Sequence, residues 1–283
     1  MATRFEFVLH GSNPATLRAA AEEALDEVDR IENLLSLYRP HTDIARLNAG
    51  AALAPVRVLP ETFRLLQRAV ELSRATGGAF DVTAGALVRA WGFLGGSGAE
   101  AQAEAVAAAR ACVGCDLLEL SVADFSVRFR RDGVLVDLGS IGKGYALDRA
   151  AELLREAGVS SALLHGGTST VISVGTPPDA SAWTIALPRG GTIELRDESL
   201  SVSAGWGKSF RDAAGQERGH VLDPRTGEPV LANRVAAVVA LSATDSDALS
   251  TAALLADPPA LERLRQVFPA VRFLEGDERP PPS

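Results

Sequence analysis

The first third of the chain changes its hydrophobic period twice. Phe5, Phe7 and Leu9 alternate with polar positions, the period of a half-buried strand. Ser12-Asn13-Pro14 then reads as a turn and helix start. From Leu17 to Leu37 apolar residues recur at helical spacing (Leu17, Ala20, Ala21, Ala24, Val28, Ile31, Leu34, Leu35). Glu22, Glu23, Asp26, Glu27 and Asp29 fill the opposite face and read as its solvated side. Residues 36–48 read as an irregular connection with a short helical turn. A second helix is predicted from Pro60 to Thr76, stopped by Gly77-Gly78.

Further along, a glycine-rich loop over 94–99 precedes an alanine-rich helix over 101–111. Strands are predicted over 117–120, 125–129 and 134–138, joined by turns at Ala123-Asp124 and Asp132-Gly133. A helix over 145–157 follows, then short strands over 162–164, 171–174, 183–187, 191–195 and 200–203. Val235 to Leu241 is a continuous apolar run, as in a strand covered on both faces. A helix over 246–255 comes next. There is no internal repeat and no long linker. Strands and helices interleave irregularly, which predicts one mixed α/β (α+β) domain over residues 1–275. Residues 276–283, rich in proline, read as a disordered tail.

Composition narrows the partners. The chain has 283 residues, 47% of them hydrophobic, enough for a sizeable core. Its net charge of −8 argues against nucleic acid and against an anionic membrane surface as partners. A small anion remains compatible, because one lysine or a metal ion reverses the field locally. No apolar run approaches the roughly 20 residues that span a bilayer. The start lacks a basic region followed by a long apolar one, so it reads as a strand rather than a signal peptide, and the expectation is a cytoplasmic protein. Cys112 and Cys115 have no second pair and no His partner, so they read as ordinary thiols.

Four segments carry candidate chemistry. Val136 to Ala146 reads strand, three glycines around Lys143, then helix. Such a turn lets backbone N–H groups approach a phosphate, and Lys143 adds a point charge, although the Walker spacing is not met. In Thr244 to Thr251, Asp247 and Thr251 are four apart and share a helical face, with Thr244, Asp245 or Ser246 as the cap. A carboxylate and a hydroxyl so placed are hard ligands suited to Mg²⁺, or equally the polar first turn of a capped helix. Gly219 to Gly227 places His220 before a Pro224–Gly227 turn, as a base, a phosphate ligand or a strand-end histidine. Thr76 to Gly85, followed by Trp91-Gly92-Phe93, sets small residues beside an aromatic and Asp81, which suits a flat ring or simply a helix stop and core aromatics.

Taken together these segments resemble the ApbE family of flavin transferases, in the family's order along almost the whole chain. Leu35-Ser36-Leu37-Tyr38, Thr42-Asp43-Ile44 with Leu47-Asn48, Gly77 to Thr83, Trp91-Gly92-Phe93, Asp137 to Ala146, His220 to Gly227 and Asp247 to Ala252 carry the likeness. The resemblance implies a single domain with a ligand cleft between sheet-and-helix lobes. It implies FAD contacts at Met1, Tyr38, Ala79, Phe80, Asp81, Asp137, Lys143 and Val221. It implies Mg²⁺ at Ser140, Asp247 and Thr251, with His220, Lys143 and Asp247 serving the chemistry. The implied reaction moves FMN from FAD to a Ser or Thr hydroxyl of a target flavoprotein and releases AMP. An FAD pyrophosphatase and an FAD-binding protein with impaired transfer are the alternatives. The sequence departs from the family pattern at Leu164-His165-Gly166-Gly167-Thr168 and at Ala204-Gly205-Trp206.

Overall fold

The computed structural model describes residues 3–274. Met1, one of the expected FAD contacts, and the expected tail lie outside the described residues. In chain order the elements are β1 (Phe5–Leu9), α1 (Pro14–Leu35), α2 (Asp43–Gly50), β2 (Val56–Arg57), α3 (Pro60–Ala75), α4 (Gly85–Ala90) and α5 (Ala103–Arg110). Then come β3 (Leu118–Ser121), β4 (Ser126–Phe129), α6 (Gly142–Glu156), β5 (Ser161–Gly166), β6 (Thr170–Gly175), β7 (Trp183–Ala186), β8 (Thr192–Leu195) and β9 (Ser199–Ala204). The chain continues with β10 (Ser209–Arg211), β11 (Glu217–Leu222), β12 (Pro229–Leu231), β13 (Val235–Ala240), α7 (Ala243–Leu254), α8 (Pro258–Val267) and β14 (Arg272–Leu274).

The main sheet has the order β1-β5-β6-β9-β13-β14, with every neighbouring pair antiparallel. Alternation divides its side chains between two cores. Ala162, Leu164, Ile172, Val174, Ala236 and Val238 face the principal core with α6, α7 and α1. Leu163, Val171, Leu200 and Val239 face the other way, onto Trp183 and Leu195 of the β7–β8 hairpin. The apolar run in β13 is therefore covered on both sides, as its composition requires.

α1 forms for local reasons as well. Asn13 Oδ1 accepts from the N–H groups of Ala15 (3.1 Å) and Thr16 (3.3 Å), and Pro14 opens the first turn. Its buried stripe is Ala20, Ala24, Val28, Ile31, Leu34 and Leu35.

A second group of elements packs beside the main sheet. α2, α3 and the small sheet β2-β4-β3 share the principal core through Phe63, Leu66, Val127 and Phe129. α4, α5 and the sheet β10-β11-β12 enclose a separate cluster of Leu87, Trp91, Phe93, Val106 and Leu222. The mixed α/β class is as expected. Among the described residues no helix is long and apolar enough to cross a membrane.

Some local expectations are corrected. Residues 134–138 do not form a strand; among the described residues their only ladder contact is a single parallel bridge between Ala84 and Leu135. Their backbone finds other partners. The Asn48 amide accepts from Val136 N–H (2.8 Å) and donates to Val136 C=O (2.9 Å), and Val82 C=O accepts from Asp137 N–H (2.8 Å). The short helical turn expected within 36–48 is an eight-residue helix over 43–50 that runs past the end of that connection, capped by Thr42, whose hydroxyl accepts from Ala45 N–H. α6 begins at Gly142 rather than Tyr145. The cap of α7 is Ser242, not Thr244, Asp245 or Ser246.

Candidate active site

A cleft of about 680 Å³ runs between the main-sheet lobe and the second group of elements. Ser140, Lys143, Thr168, Ser203, Asp247 and Thr251 line it from the main-sheet side. Ala79, Val88, Phe93, His220 and Val221 line it from the other, and Tyr38, Asp137, Trp206 and Lys208 also border it.

The charged centre is made where α6 meets α7. Lys143 Nζ donates to Asp247 Oδ1 at 3.0 Å and to Gly139 C=O at 3.2 Å. Gly144 N–H donates to Asp247 Oδ2 at 3.1 Å. This needs a very close helix–helix approach, and Gly144 provides it: a Cβ there would sit 2.0 Å from the Ala243 carbonyl oxygen. Asp148, one turn along α6, fastens the same contact. Its carboxylate accepts from Ser242 Oγ (2.7 Å), Ala243 N–H (2.8 Å), Thr244 N–H (2.8 Å) and Thr244 Oγ1 (2.6 Å). An anion at the N-terminus of α7 also meets its favourable dipole end. Thr251 lies four residues after Asp247 on the cleft-facing side of α7, its hydroxyl 3.2 Å from Ser203 Oγ.

Electrostatics differ across the cleft. Burial pushes the Asp137 carboxyl up; the Gly139 N–H (2.8 Å) and the Lys143 charge oppose this. His220 sits at the cleft surface with protein on several sides. Desolvation pulls its pKa below the usual histidine value, a Lys208 main-chain contact opposes that, and the Lys208 and Lys143 charges deepen it. Its neutral form is therefore favoured near neutral pH.

Two of the residues named from the sequence turn their side chains inward rather than into the open cleft. Phe80 is fully buried in the principal core and does not line the cleft. Asp81 borders the cleft, but its carboxylate is engaged inward. It accepts from Thr83 N–H (2.8 Å), Thr83 Oγ1 (2.5 Å), Ser73 Oγ (3.0 Å) and Cys115 N–H (2.8 Å). Cys115 is buried against it, and burial followed by the Asp81 charge pushes the thiol well above its usual range. Such a thiol is a poor nucleophile or ligand. Among the described residues no group of three or more His, Cys, Asp or Glu side chains could hold a metal ion.

The cleft also contains residues that sequence reasoning did not assign. Thr168 and Trp206 belong to the two departures from the family pattern, and both line it. The Arg189 guanidinium lies 5.9 Å from the Trp206 ring centroid. Ser169, Ser203 and Lys208 are further lining residues without a motif to flag them.

The model of the ApbE family matches residues 1–272. The FAD:protein FMN transferase of Treponema pallidum (strain Nichols) is 30% identical, with the match covering 92% of this chain and 77% of that protein. The FAD:protein FMN transferase of Escherichia coli (strain K12) is 28% identical, covering 90% and 77% respectively. Among solved structures, the ApbE protein of Thermotoga maritima superposes with a TM-score of 0.85 at 28% identity, covering 96% of this chain and 90% of that one. The apo form of the Pseudomonas stutzeri flavinyl transferase ApbE gives 0.80 at 29% identity, covering 93% and 84%. The motifs, the cleft they line and the near-complete match converge: this chain belongs to the ApbE family.

Proposed function

We propose that the protein is a Mg²⁺-dependent FAD:protein FMN transferase. A Ser or Thr hydroxyl of a target flavoprotein attacks the FMN phosphorus of FAD, a new P–O bond forms, the pyrophosphate bond to AMP breaks, and AMP leaves. The observation that carries this reading is the opposition of Lys143, Asp247, Thr251 and Ser140 on one wall to His220 on the other. Phosphoryl transfer asks mainly for positioning and charge neutralisation, which this arrangement offers.

The donor set fits magnesium. Asp247, Thr251 and Ser140 would hold it: one carboxylate and two hydroxyl-bearing residues are hard oxygen donors, and a set too small to enclose an ion suits Mg²⁺, which commonly keeps several waters. When bound, it supplies charge neutralisation at the pyrophosphate. Lys143 is a second, mobile cation that can turn from Gly139 and Asp247 towards a phosphate oxygen. At the start of α6, which Ser140 precedes, the N–H groups of Gly142 and Gly144 are already taken by Leu138 C=O and Asp247, so the positive charge offered to the anion there is that of Lys143. His220, with one ring nitrogen engaged by the Lys208 main chain, offers the other to the acceptor hydroxyl proton. Tyr38, Ala79, Asp137 and Val221 border the remaining length of the cleft and are assigned to flavin contact.

Incubation with FAD and Mg²⁺, with and without a flavoprotein acceptor domain, tests the reading. Acceptor-dependent AMP release supports transfer. Equal AMP release without acceptor establishes a pyrophosphatase instead, and flavin binding with no AMP establishes a carrier.

A further inference from the structure

β9 carries serine at every second position, Ser199, Ser201 and Ser203, and this face points at α7 rather than at water. Ser199 and Ser201 are fully buried, as is Ser246, which meets both of them. A sheet–helix seam is ordinarily apolar, since burying a hydroxyl is unfavourable unless it is hydrogen-bonded. Here the hydroxyls satisfy one another in a line. Ser199 Oγ lies 2.9 Å from Ser246 Oγ, Ser246 Oγ 3.0 Å from Ser201 Oγ, and Ser201 Oγ 3.2 Å from Thr170 Oγ1. Thr170 is the cross-strand partner of Ser201 on β6, and its Oγ1 reaches Asp247 Oδ1 at 3.4 Å.

One direction of donation is open to the whole line. Asp247 is an acceptor only, so Thr170 donates to it. Thr170 then accepts from Ser201 and, with the Ala243 (3.2 Å) and Ala240 (3.0 Å) carbonyls as alternative acceptors for Ser246 and Ser199, Ser201 accepts from Ser246 and Ser246 from Ser199. Aligned donors of this kind polarise one another and end on the carboxylate. A branch of the same row serves the other candidate ligand, with Ser203 Oγ 3.2 Å from Thr251 Oγ1.

We propose that Thr170, Ser201 and Ser246 are positioning residues that fix the Asp247 carboxylate for metal binding. They act through Asp247 and need touch neither metal nor flavin. The inference rests on Asp247 being a ligand, as proposed above.

The test is metal affinity rather than turnover. Mn²⁺ binding to the full chain is followed by electron paramagnetic resonance, with FAD present and no acceptor, alongside thermal unfolding. Outer partners of metal ligands are typically worth about 10–100-fold in affinity. Thr170→Val is expected to weaken Mn²⁺ about tenfold, Thr170→Ser to restore it, and Ser246→Ala, two hydroxyls further back, to weaken it about threefold. Folded Thr170→Val and Ser246→Ala proteins that bind Mn²⁺ like wild type, while Asp247→Ala does not, would overturn the inference alone. Equal weakening by Thr170→Val and Thr170→Ser would also overturn it, by showing that shape rather than the hydroxyl matters. Undiminished binding by Asp247→Ala would remove the ligand reading and the inference with it.

Discussion

Lys143 Nζ and Asp247 Oδ1 lie 3.0 Å apart although 104 positions separate the residues in the chain. The pair joins α6 to α7 on the cleft wall, so each residue's effect depends on the other. Lys143→Met removes a cation that competes for Asp247 and, on the proposed mechanism, one that neutralises the pyrophosphate. Turnover of FAD should fall about 100-fold, the usual scale for one lost charge-stabilising donor. Metal binding without flavin should stay equal or tighten. Steady-state AMP release and a Mn²⁺ titration measure the two effects, and parallel losses in both would count against this division of roles.

Gly144 lets the pair form. Gly144→Ala places a methyl 2.0 Å from the Ala243 carbonyl, which forces the two helices apart. Backbone cannot yield as a side-chain tip does, so the cost is at least about 2 kcal/mol of stability. Denaturant unfolding gives the value, and turnover should fall with it.

On the proposed mechanism, His220 sets the acid limit of the reaction. The neutral imidazole is the proton-accepting form, and its pKa lies below the ordinary 6.5. The rate should therefore hold as pH falls to that value and decline only below it. The same shift sets the sign for folding: the contribution of His220 is present above its unfolded pKa and lost as pH falls through the folded one. His220→Gln should remove the acid-side decline from the pH–rate profile and lower the plateau.

Asp81 is expected to be a matter of stability more than of flavin affinity. Asp81→Asn turns one acceptor oxygen into a donor amide facing inward donors such as Cys115 N–H and Ser73 Oγ. The unsatisfied group costs about 2–3 kcal/mol. Thermal unfolding should register the loss, with flavin affinity of the folded fraction changed much less.

Where one local rule dominates, the sequence already shows the element. Asn13-Pro14 with the apolar stripe defines α1, and the uninterrupted Val235 run marks a doubly covered strand. Asp247 and Thr251 share a face because four residues make one helical turn. Other features depend on distant partners. Residues 134–138 are as apolar as a strand, yet Asn48 and Val82 take their hydrogen bonds. α4 is too short to show a period, and α8 is signalled only at its start, by Asp257 followed by two prolines. The Ser199-Leu200-Ser201-Val202-Ser203 alternation has the pattern of a strand with one wet face. Only the packing of α7 reveals that Ser199 and Ser201 are buried and lead to Asp247. Trp206 and Lys208 reach the cleft through loop geometry, for which no period exists.

The most direct measurement is the intact mass of a flavoprotein acceptor domain after incubation with this protein, FAD and Mg²⁺. A mass gain of one FMN group on a Ser or Thr is expected, abolished by a chelator and by Asp247→Ala. An acceptor of unchanged mass, with FAD cut to FMN and AMP in solution, would contradict it.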